Sequence, residues 1–391
     1  MSATSAGRRT RVLHVIQNLH YGGMERVLAD LARGADPSRF EVHVLGLQYL
    51  GRNAAGLSEI ATLHVAPPQS RWSMVWPRTL TALMRSIAPD VVHSHSGVWY
   101  KASKAARHAG IRRIIHTDHG RQVPDPWQDR LLDRAASRRT DVVVAVSEPL
   151  AKKLADHVVA FPDRIRVVLN GVDSEAFKPM EDNGAIRTAL GISADAPVLG
   201  TIGRLERVKG YDLMVRALAL LRADWRDGAP PHLIFAGEGS ERQKLQSLAA
   251  ELGVSDAVHF LGWRDDVHDL HAMFTLFSLS SLSEGTSISL LEAMSAGRCP
   301  VVTDVGGNSA VLGPQLQHRL VKSGDHEALA AGWRDALADP ARRRADETIA
   351  RARVISAYSL EATVRAYEAL YVSEEPPASR VPSPVARPST G

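Results

Sequence analysis

Short apolar runs alternate with glycine-bearing loops and helix-period segments along most of this chain, in two series separated by a polar stretch. That alternation constrains the fold more than any other feature of the sequence. The first series opens with Arg11–Gln17 (RVLHVIQ), passes through the Asn18–Gly23 loop, and continues into Met24–Arg33, whose apolar residues repeat with helical period. Strand-like runs follow at Phe40–Leu45, Asp90–His93, Ile114–Thr117, Asp141–Val146 and Ile165–Leu169, with a helix-like Arg78–Ile87 among them. The second series runs through Pro197–Ile202, His232–Ala236, Val258–Leu261 and Phe274–Leu279, with helices expected over Tyr211–Leu221 and Glu241–Leu252. Two such series predict an α/β fold of two doubly wound, Rossmann-like domains facing a cleft. The expected division is a disordered 1–10, a first domain over 11–170, a linker over 171–196, a second domain over 197–355, a helix over 356–373 that crosses back to the first domain, and a disordered Pro/Ser-rich tail over 374–391.

In sheets of this kind ligands sit beyond the carboxyl ends of the strands, so the strand-end loops are the places to look for chemistry. The loop after the first strand lacks the G-x-G-x-x-G pattern, so a dinucleotide is not implied; Gly22 and Gly23 would instead let a ligand approach the backbone. The most informative loop is SEGTSISLLEAMSAGRCPVVTDVGG, residues 283–307. Glu284 lies in a small-residue loop after a strand, and Glu292 lies eight positions later inside the apolar run Ile288–Met294, read as a short helix that Gly297 ends. A helix start offers free amides to an anion, and acids on either side of it can hold hydroxyls. A phosphate flanked by hydroxyl-bearing groups is the outline of a sugar nucleotide. Either acid alone could be a dipole-favoured or solvated residue, but Glu292 sits among Leu290, Leu291, Ala293 and Met294, where a carboxylate needs a partner.

Arg204 and Lys209 flank the end of the second domain's first strand, beside Gly203 and Gly210. A guanidinium can clamp phosphate oxygens while an ammonium adds a point charge, so the pair suits a leaving diphosphate; two solvated loop cations is the competing reading. Of the sixteen histidines, His93, His95, His116 and His119 gather at two strand ends. Zinc is disfavoured there by the absence of a cysteine ligand or a third carboxylate, and His119 reads better as a cleft residue that hydrogen-bonds a sugar or an acceptor. No metal site is expected. The only cysteine, Cys299, precludes an internal disulfide and reads as packing. No G-x-S-x-G elbow supports a serine hydrolase.

Charge is unevenly divided. Residues 1–170 carry 24 Lys+Arg against 14 Asp+Glu, whereas residues 171–391 carry 23 against 29. Lys101, Lys104, Arg107, Arg112 and Arg113, then Arg130, Arg134, Arg138 and Arg139, form basic stretches over 101–139 that either attract an anionic membrane or are an ordinary solvated face. Aromatics are only 5% of the chain and no recognition motif is present, which argues against nucleic acid. No apolar run reaches 18 residues, and MSATSAGRRTR has no apolar segment of a secretory signal, so the expected location is the cytoplasm, with the inner face of the plasma membrane as an option.

Taken in order, these motifs resemble the retaining glycosyltransferases of the GT-B fold, specifically glycosyltransferase family four. The resemblance spans roughly residues 11–372. It is carried most specifically by Glu284-x7-Glu292 with its LLEAMSAG-x-x-PVV continuation, supported by Gly203-Arg204-Leu205, Lys209-Gly210, Gly237-Glu238-Gly239, Phe260-Leu261-Gly262, Gly22-Gly23-Met24-Glu25 and Asp118-His119-Gly120. It implies a first domain that binds an acceptor and a second that binds a nucleotide sugar, UDP- or GDP-linked, with no cofactor. It further implies that Arg204 and Lys209 bind the diphosphate, Glu292 the ribose, and Glu284 the donor sugar. The backbone of Gly285, Thr286, Ser287 and Ile288 would touch sugar and phosphate, and Gly262, Trp263 and Arg264, near Glu238, would face the base. Gly22 and Gly23 would approach the phosphate or acceptor, with His119 at the reacting carbon. Thr286 stands where many relatives carry a larger apolar residue. The implied activity is metal-independent transfer of a sugar, with retained configuration, to a hydroxyl of a glycan or lipid-linked acceptor, as in exopolysaccharide assembly. A phosphorylase or disaccharide synthase on the same fold, and a non-catalytic nucleotide-sugar-binding protein, are the alternatives.

Overall fold

The computed structural model describes residues 8–20, 22–68, 71–74, 76–120 and 126–372. The first sheet has seven parallel strands: β1 (Thr10–Asn18), β2 (Phe40–Tyr49), β3 (Thr62–Val65), β4 (Val91–His95), β5 (Arg113–Asp118), β6 (Val142–Ala145) and β7 (Ile165–Val167), in the order β3-β2-β1-β4-β5-β6-β7. Its helices are α1 (Gly23–Gly34), α2 (Arg78–Ile87), α3 (Trp99–Ala109), α4 (Trp127–Ser137) and α5 (Glu148–His157). After α6 (Ala185–Leu190) the second sheet takes six parallel strands: β8 (Val198–Ile202), β9 (His232–Ala236), β10 (Val258–Gly262), β11 (Leu276–Leu279), β12 (Cys299–Thr303) and β13 (Leu320–Val321), in the order β10-β9-β8-β11-β12-β13. Helices α7 (Tyr211–Ala223), α8 (Arg242–Glu251), α9 (Val267–Met273), α10 (Ile288–Ser295), α11 (Asn308–Leu312), α12 (His326–Ala338), α13 (Pro340–Ala357) and α14 (Leu360–Val372) complete the chain.

Central strands such as β4, β6, β11 and β12 are buried at every residue, as their unbroken apolar runs require when helices cover both faces of a sheet. The two doubly wound domains expected from the sequence are present, and α14 crosses back to the first. Glu368 accepts from the Asp36 amide (2.9 Å) and pairs with Arg39 (3.1 Å), Tyr367 meets Thr117 (3.1 Å), and Tyr371 meets His93 (2.9 Å). The apolar pattern under-reads the edges. Strand β3 was not anticipated, because a half-exposed edge strand carries no apolar run; β13 is only two residues long; and α6 lies inside the stretch read as a linker. The segment after residue 323 divides into three helices, two of them opened by aspartates: Asp325 accepts from the Ala328 amide (2.9 Å), and Asp339 from those of Ala341 (3.0 Å) and Arg342 (2.9 Å). The terminal segments expected to be disordered lie largely outside the described residues.

Strand order reverses between β1 and β4 in one sheet and between β8 and β11 in the other. Those switch points are where crevices open beyond the strand ends. The loops they supply are the ones the sequence singled out.

Candidate active site

Lys209 ends a short 3-10 turn (Arg207–Lys209) that leads into α7, and Ser280 at the end of β11 holds its carbonyl (2.9 Å). This brings Lys209 Nζ to 2.5 Å from Glu284 Oε1, which also accepts from Ser281 Oγ (2.7 Å). Burial alone would lower the Lys209 pKa; Glu284 and Tyr211 outweigh it, so the ammonium is held above its ordinary value. The cation expected on phosphate and the acid expected on sugar are therefore one ion pair. Arg204 follows β8 and is exposed. Its loop is pinned to the β9 loop by Gly203 N donating to Ala236 O (2.9 Å) and Leu205 N to Glu238 O (2.8 Å). The contact is so close that a Cβ on Gly237, which has φ 147°, would fall 2.0 Å from the Gly203 carbonyl.

Across the cleft, Gly22 precedes α1 in extended conformation, and a Cβ on it would lie 2.4 Å from Glu25 Oε2. Burial raises the Glu25 pKa, against its own backbone amide, Arg204 and His20. The Glu25 carboxylate thus feels Arg204 of the second domain, an interdomain relationship that no local spacing encodes. Gly23 faces Ile288, at 3.6 Å from a Cβ position to its side chain.

The loop before α10 is where the domains touch. A Cβ on Gly285 would stand 2.5 Å from the His119 carbonyl, so only glycine fits. Thr286 donates through Oγ1 to Val146 O (2.5 Å), and its carbonyl accepts from Asn170 Nδ2 (3.2 Å). Thr286 was expected to offer backbone to the donor; the structure adds that its side chain ties the domains together. Ser287 precedes α10 without a side-chain cap, and its hydroxyl lies 3.3 Å from that of Ser289.

One turn into α10, Glu292 is 7% exposed. Burial pushes its pKa up to about 7, with Arg26 pulling down and Asp30 pushing up. Arg26, on α1, pairs with Asp30 (3.0 Å) and lies over the Phe177 ring (5.5 Å). Arg26 escaped the sequence reading; its i,i+4 pairing with Asp30 marks a helix face but says nothing of Glu292, which only the closed cleft brings near.

Glu238, Gly262, Trp263 and Arg264 form a second group at the ends of β9 and β10. Gly237 N donates to Gly262 O (2.7 Å), Glu238 pairs with Arg242 (2.7 Å), Trp263 Nε1 donates to Asp265 (3.0 Å), and Arg264 Nε to Asp266 (2.7 Å). Trp263 is 38% exposed. Asp266 occupies the N-cap position of α9 and accepts from Arg264.

His119 is half-buried. Its amide donates to Ser96 Oγ (2.9 Å), and its Nε2 lies 3.0 Å from His95 Nδ1. Burial pushes its pKa down to about 3, so the ring is neutral. Ligand nitrogens of His14, His93 and His95 lie within 4.8 Å of one another, a spacing a metal ion could use. His93 spends both nitrogens on Tyr371 (2.9 Å) and Thr117 (2.8 Å), and His95 spends both on His14 (3.1 Å) and His119 (3.0 Å). The cluster is a hydrogen-bonded network rather than an open ligand set.

Residues 21–176 match the model of Glycosyltransferase Family 4, and residues 182–353 match that of Glycosyl transferases group 1. The D-inositol 3-phosphate glycosyltransferase of Stackebrandtia nassauensis is 32% identical over 63% of this chain and 59% of its own length. That of Corynebacterium urealyticum is 29% identical over 75% of each chain. The chain thus spans about three-fifths of the first relative's length and three-quarters of the second's. Among solved structures, Anabaena HepE in complex with UDP superposes with a TM-score of 0.78 at 21% identity, covering 92% of this chain and 98% of that one.

Proposed function

Because the chain belongs to the family-four, group 1 glycosyltransferases, we propose that it transfers a sugar from a nucleoside diphosphate sugar to a hydroxyl acceptor, with retention of configuration and without a metal ion. The observation that carries the reading is Glu292. Burial makes charge on this carboxyl costly, and two ribose hydroxyls are donors that would stabilise it. The uncapped start of α10, with Glu284 on one side and Glu292 on the other, matches the phosphate-between-hydroxyls outline.

In this reading Arg204 and Lys209 supply the positive charge that a departing diphosphate needs. Glu284, held by Lys209 and Ser281, accepts from the donor sugar's hydroxyls. The bond between the anomeric carbon and the diphosphate oxygen breaks, the acceptor oxygen bonds to the same face of that carbon, and its proton passes to the departing phosphate. No enzymic nucleophile is required; positioning in a closed cleft does the work. The backbone of Gly262 to Arg264 faces the base, and His119 stands at the reacting carbon. The UDP held by HepE favours a uridine donor, and the inositol 3-phosphate named for the Stackebrandtia and Corynebacterium relatives favours a small polyol hydroxyl.

A membrane-bound acceptor has separate support. Helix α4 leaves Trp127 62% and Leu131 57% exposed beside the exposed Arg134, followed by the exposed Arg138, a mixture suited to an anionic lipid surface on the cytoplasmic side. Other basic residues of 101–139 are committed elsewhere: Arg107 to Asp141 (2.6 Å), Arg113 to Leu370 O (2.8 Å), and Arg139 to Ala135 O (2.6 Å). Residues 121–125 of that stretch lie outside the described residues. Among the described residues no helix is long and apolar enough to cross a membrane.

The test is thermal stabilisation by UDP, GDP and ADP with chelator present, for the natural protein and Glu292→Ala. Nucleotide at about 100 times its dissociation constant should stabilise by about 2.7 kcal/mol. A shift with one nucleotide that weakens in the variant is expected. Absence of any shift would overturn the reading, and turnover on free sugar phosphate alone would favour a phosphorylase or disaccharide synthase. The anomeric proton coupling of the product reads out retention.

A further inference from the structure

Three imidazoles join end to end beneath the cleft. His14 Nδ1 lies 3.1 Å from His95 Nε2, and His95 Nδ1 lies 3.0 Å from His119 Nε2. His14 and His95 are buried, and no described residue pairs with His119 Nδ1. His93 packs against His95 with ring centroids 4.4 Å apart and is itself fixed through both nitrogens, by Thr117 and by Tyr371 of α14. The rings have little freedom to turn away from one another.

A neutral imidazole carries one proton on one nitrogen. Burial lowers the pKa of all three rings, so each is neutral near pH 7. Each of the two N···N contacts needs one and only one proton. Two arrangements satisfy both. Either every ring is protonated at Nδ1, so that His14 donates to His95, His95 donates to His119, and His119 keeps Nδ1–H; or every ring is protonated at Nε2, the donations reverse, and His119 presents a bare Nδ1. A mixed state puts two lone pairs or two N–H groups face to face in a dry interior, at a cost comparable to an unmade buried hydrogen bond.

We propose that His95 and His14 are positioning residues for His119: the chain couples the three rings to one shared tautomer, so that whether His119 offers a donor or an acceptor at Nδ1 is tied to the proton on His14, two rings away. The role of His119 in turnover rests on the proposed transferase activity; the shared tautomer does not. A ring that presents the same face to every substrate needs no reorganisation during reaction, which is the benefit of orienting a histidine from behind.

The test has two arms. In protein labelled with 15N-histidine, long-range proton–nitrogen correlations at pH 7 should show His14, His95 and His119 neutral and protonated at the same nitrogen. His95→Phe, which removes the middle ring, should uncouple the two ends, so that His119 becomes a mixture of tautomers or no longer matches His14. Different tautomers along the chain in the natural protein, or a His119 pattern in His95→Phe unchanged from the natural one, would overturn the proposal. In the second arm, release of UDP from UDP-glucose is followed in His95→Phe, His119→Ala and the double variant. The expected result is a fall in kcat of about 10- to 100-fold for His95→Phe with little change in KM, and no further fall when His119 is already alanine. Equal losses in both backgrounds would place His95 outside any action through His119. A natural protein that turns over no UDP-glucose but shows the single shared tautomer would count against the activity and for the relay.

Discussion

Lys209 and Glu284 stand 75 residues apart in sequence and share an ion pair of 2.5 Å at the centre of the cleft, with side chains 20% and 10% exposed. Each neutralises the other, so in the proposed reading a donor would exchange one set of charge contacts for another rather than fill a bare cationic site.

Removing one partner leaves the other charge poorly solvated. Lys209→Ala and Glu284→Ala should each lower stability by about 2–3 kcal/mol, below the range for fully buried pairs because some water reaches this one. The double variant Lys209→Ala/Glu284→Ala should lose less than the sum. Urea unfolding of the four proteins measures the coupling; additive losses would contradict it.

The Glu292 carboxyl carries a folded pKa of about 7 against an ordinary 4.5. An acid raised on folding keeps its proton in the native state after the unfolded chain has lost it, so stability falls as pH climbs between those values. The total is on the order of 3 kcal/mol. Glu292→Gln should flatten that slope between pH 5 and 8 and weaken nucleotide binding at pH 8, as read by thermal unfolding at each pH with and without UDP. An identical pH slope in natural and variant protein would contradict the assignment.

Thr286 Oγ1 donates to Val146 O, and its carbonyl accepts from Asn170, so this residue holds the cleft closed. Thr286→Val keeps the shape and deletes the hydroxyl. It should cost about 1–2 kcal/mol and increase the radius of gyration measured by small-angle scattering without nucleotide. An unchanged radius would mean that α14 and its contacts hold the domains without Thr286.

Helix α4 should bind vesicles that contain anionic lipid. Trp127→Ser/Leu131→Ser should abolish co-sedimentation with phosphatidylglycerol vesicles while leaving UDP-induced stabilisation intact, and added salt should weaken binding of the natural protein. Equal sedimentation of the variant would remove this surface from consideration.

The sequence by itself determined the two series of buried strands, the α1 and α10 helices with their preceding glycine loops, and the returning helix α14, because each is written in a local period of apolar residues. It also singled out Arg204, Lys209, Glu284 and Glu292, since charged residues beside glycines at strand ends stand out from that pattern. The tertiary structure alone decided that Lys209 pairs with Glu284, that Arg26 of one domain sits near Glu292 of the other, that Thr286 bonds across the cleft, and that His14 reaches His119 through His95. Those relationships join strand ends from different parts of a sheet, or from two sheets. Strand order and the closing of one sheet on another set them, and periodicity along a single chain carries no record of either.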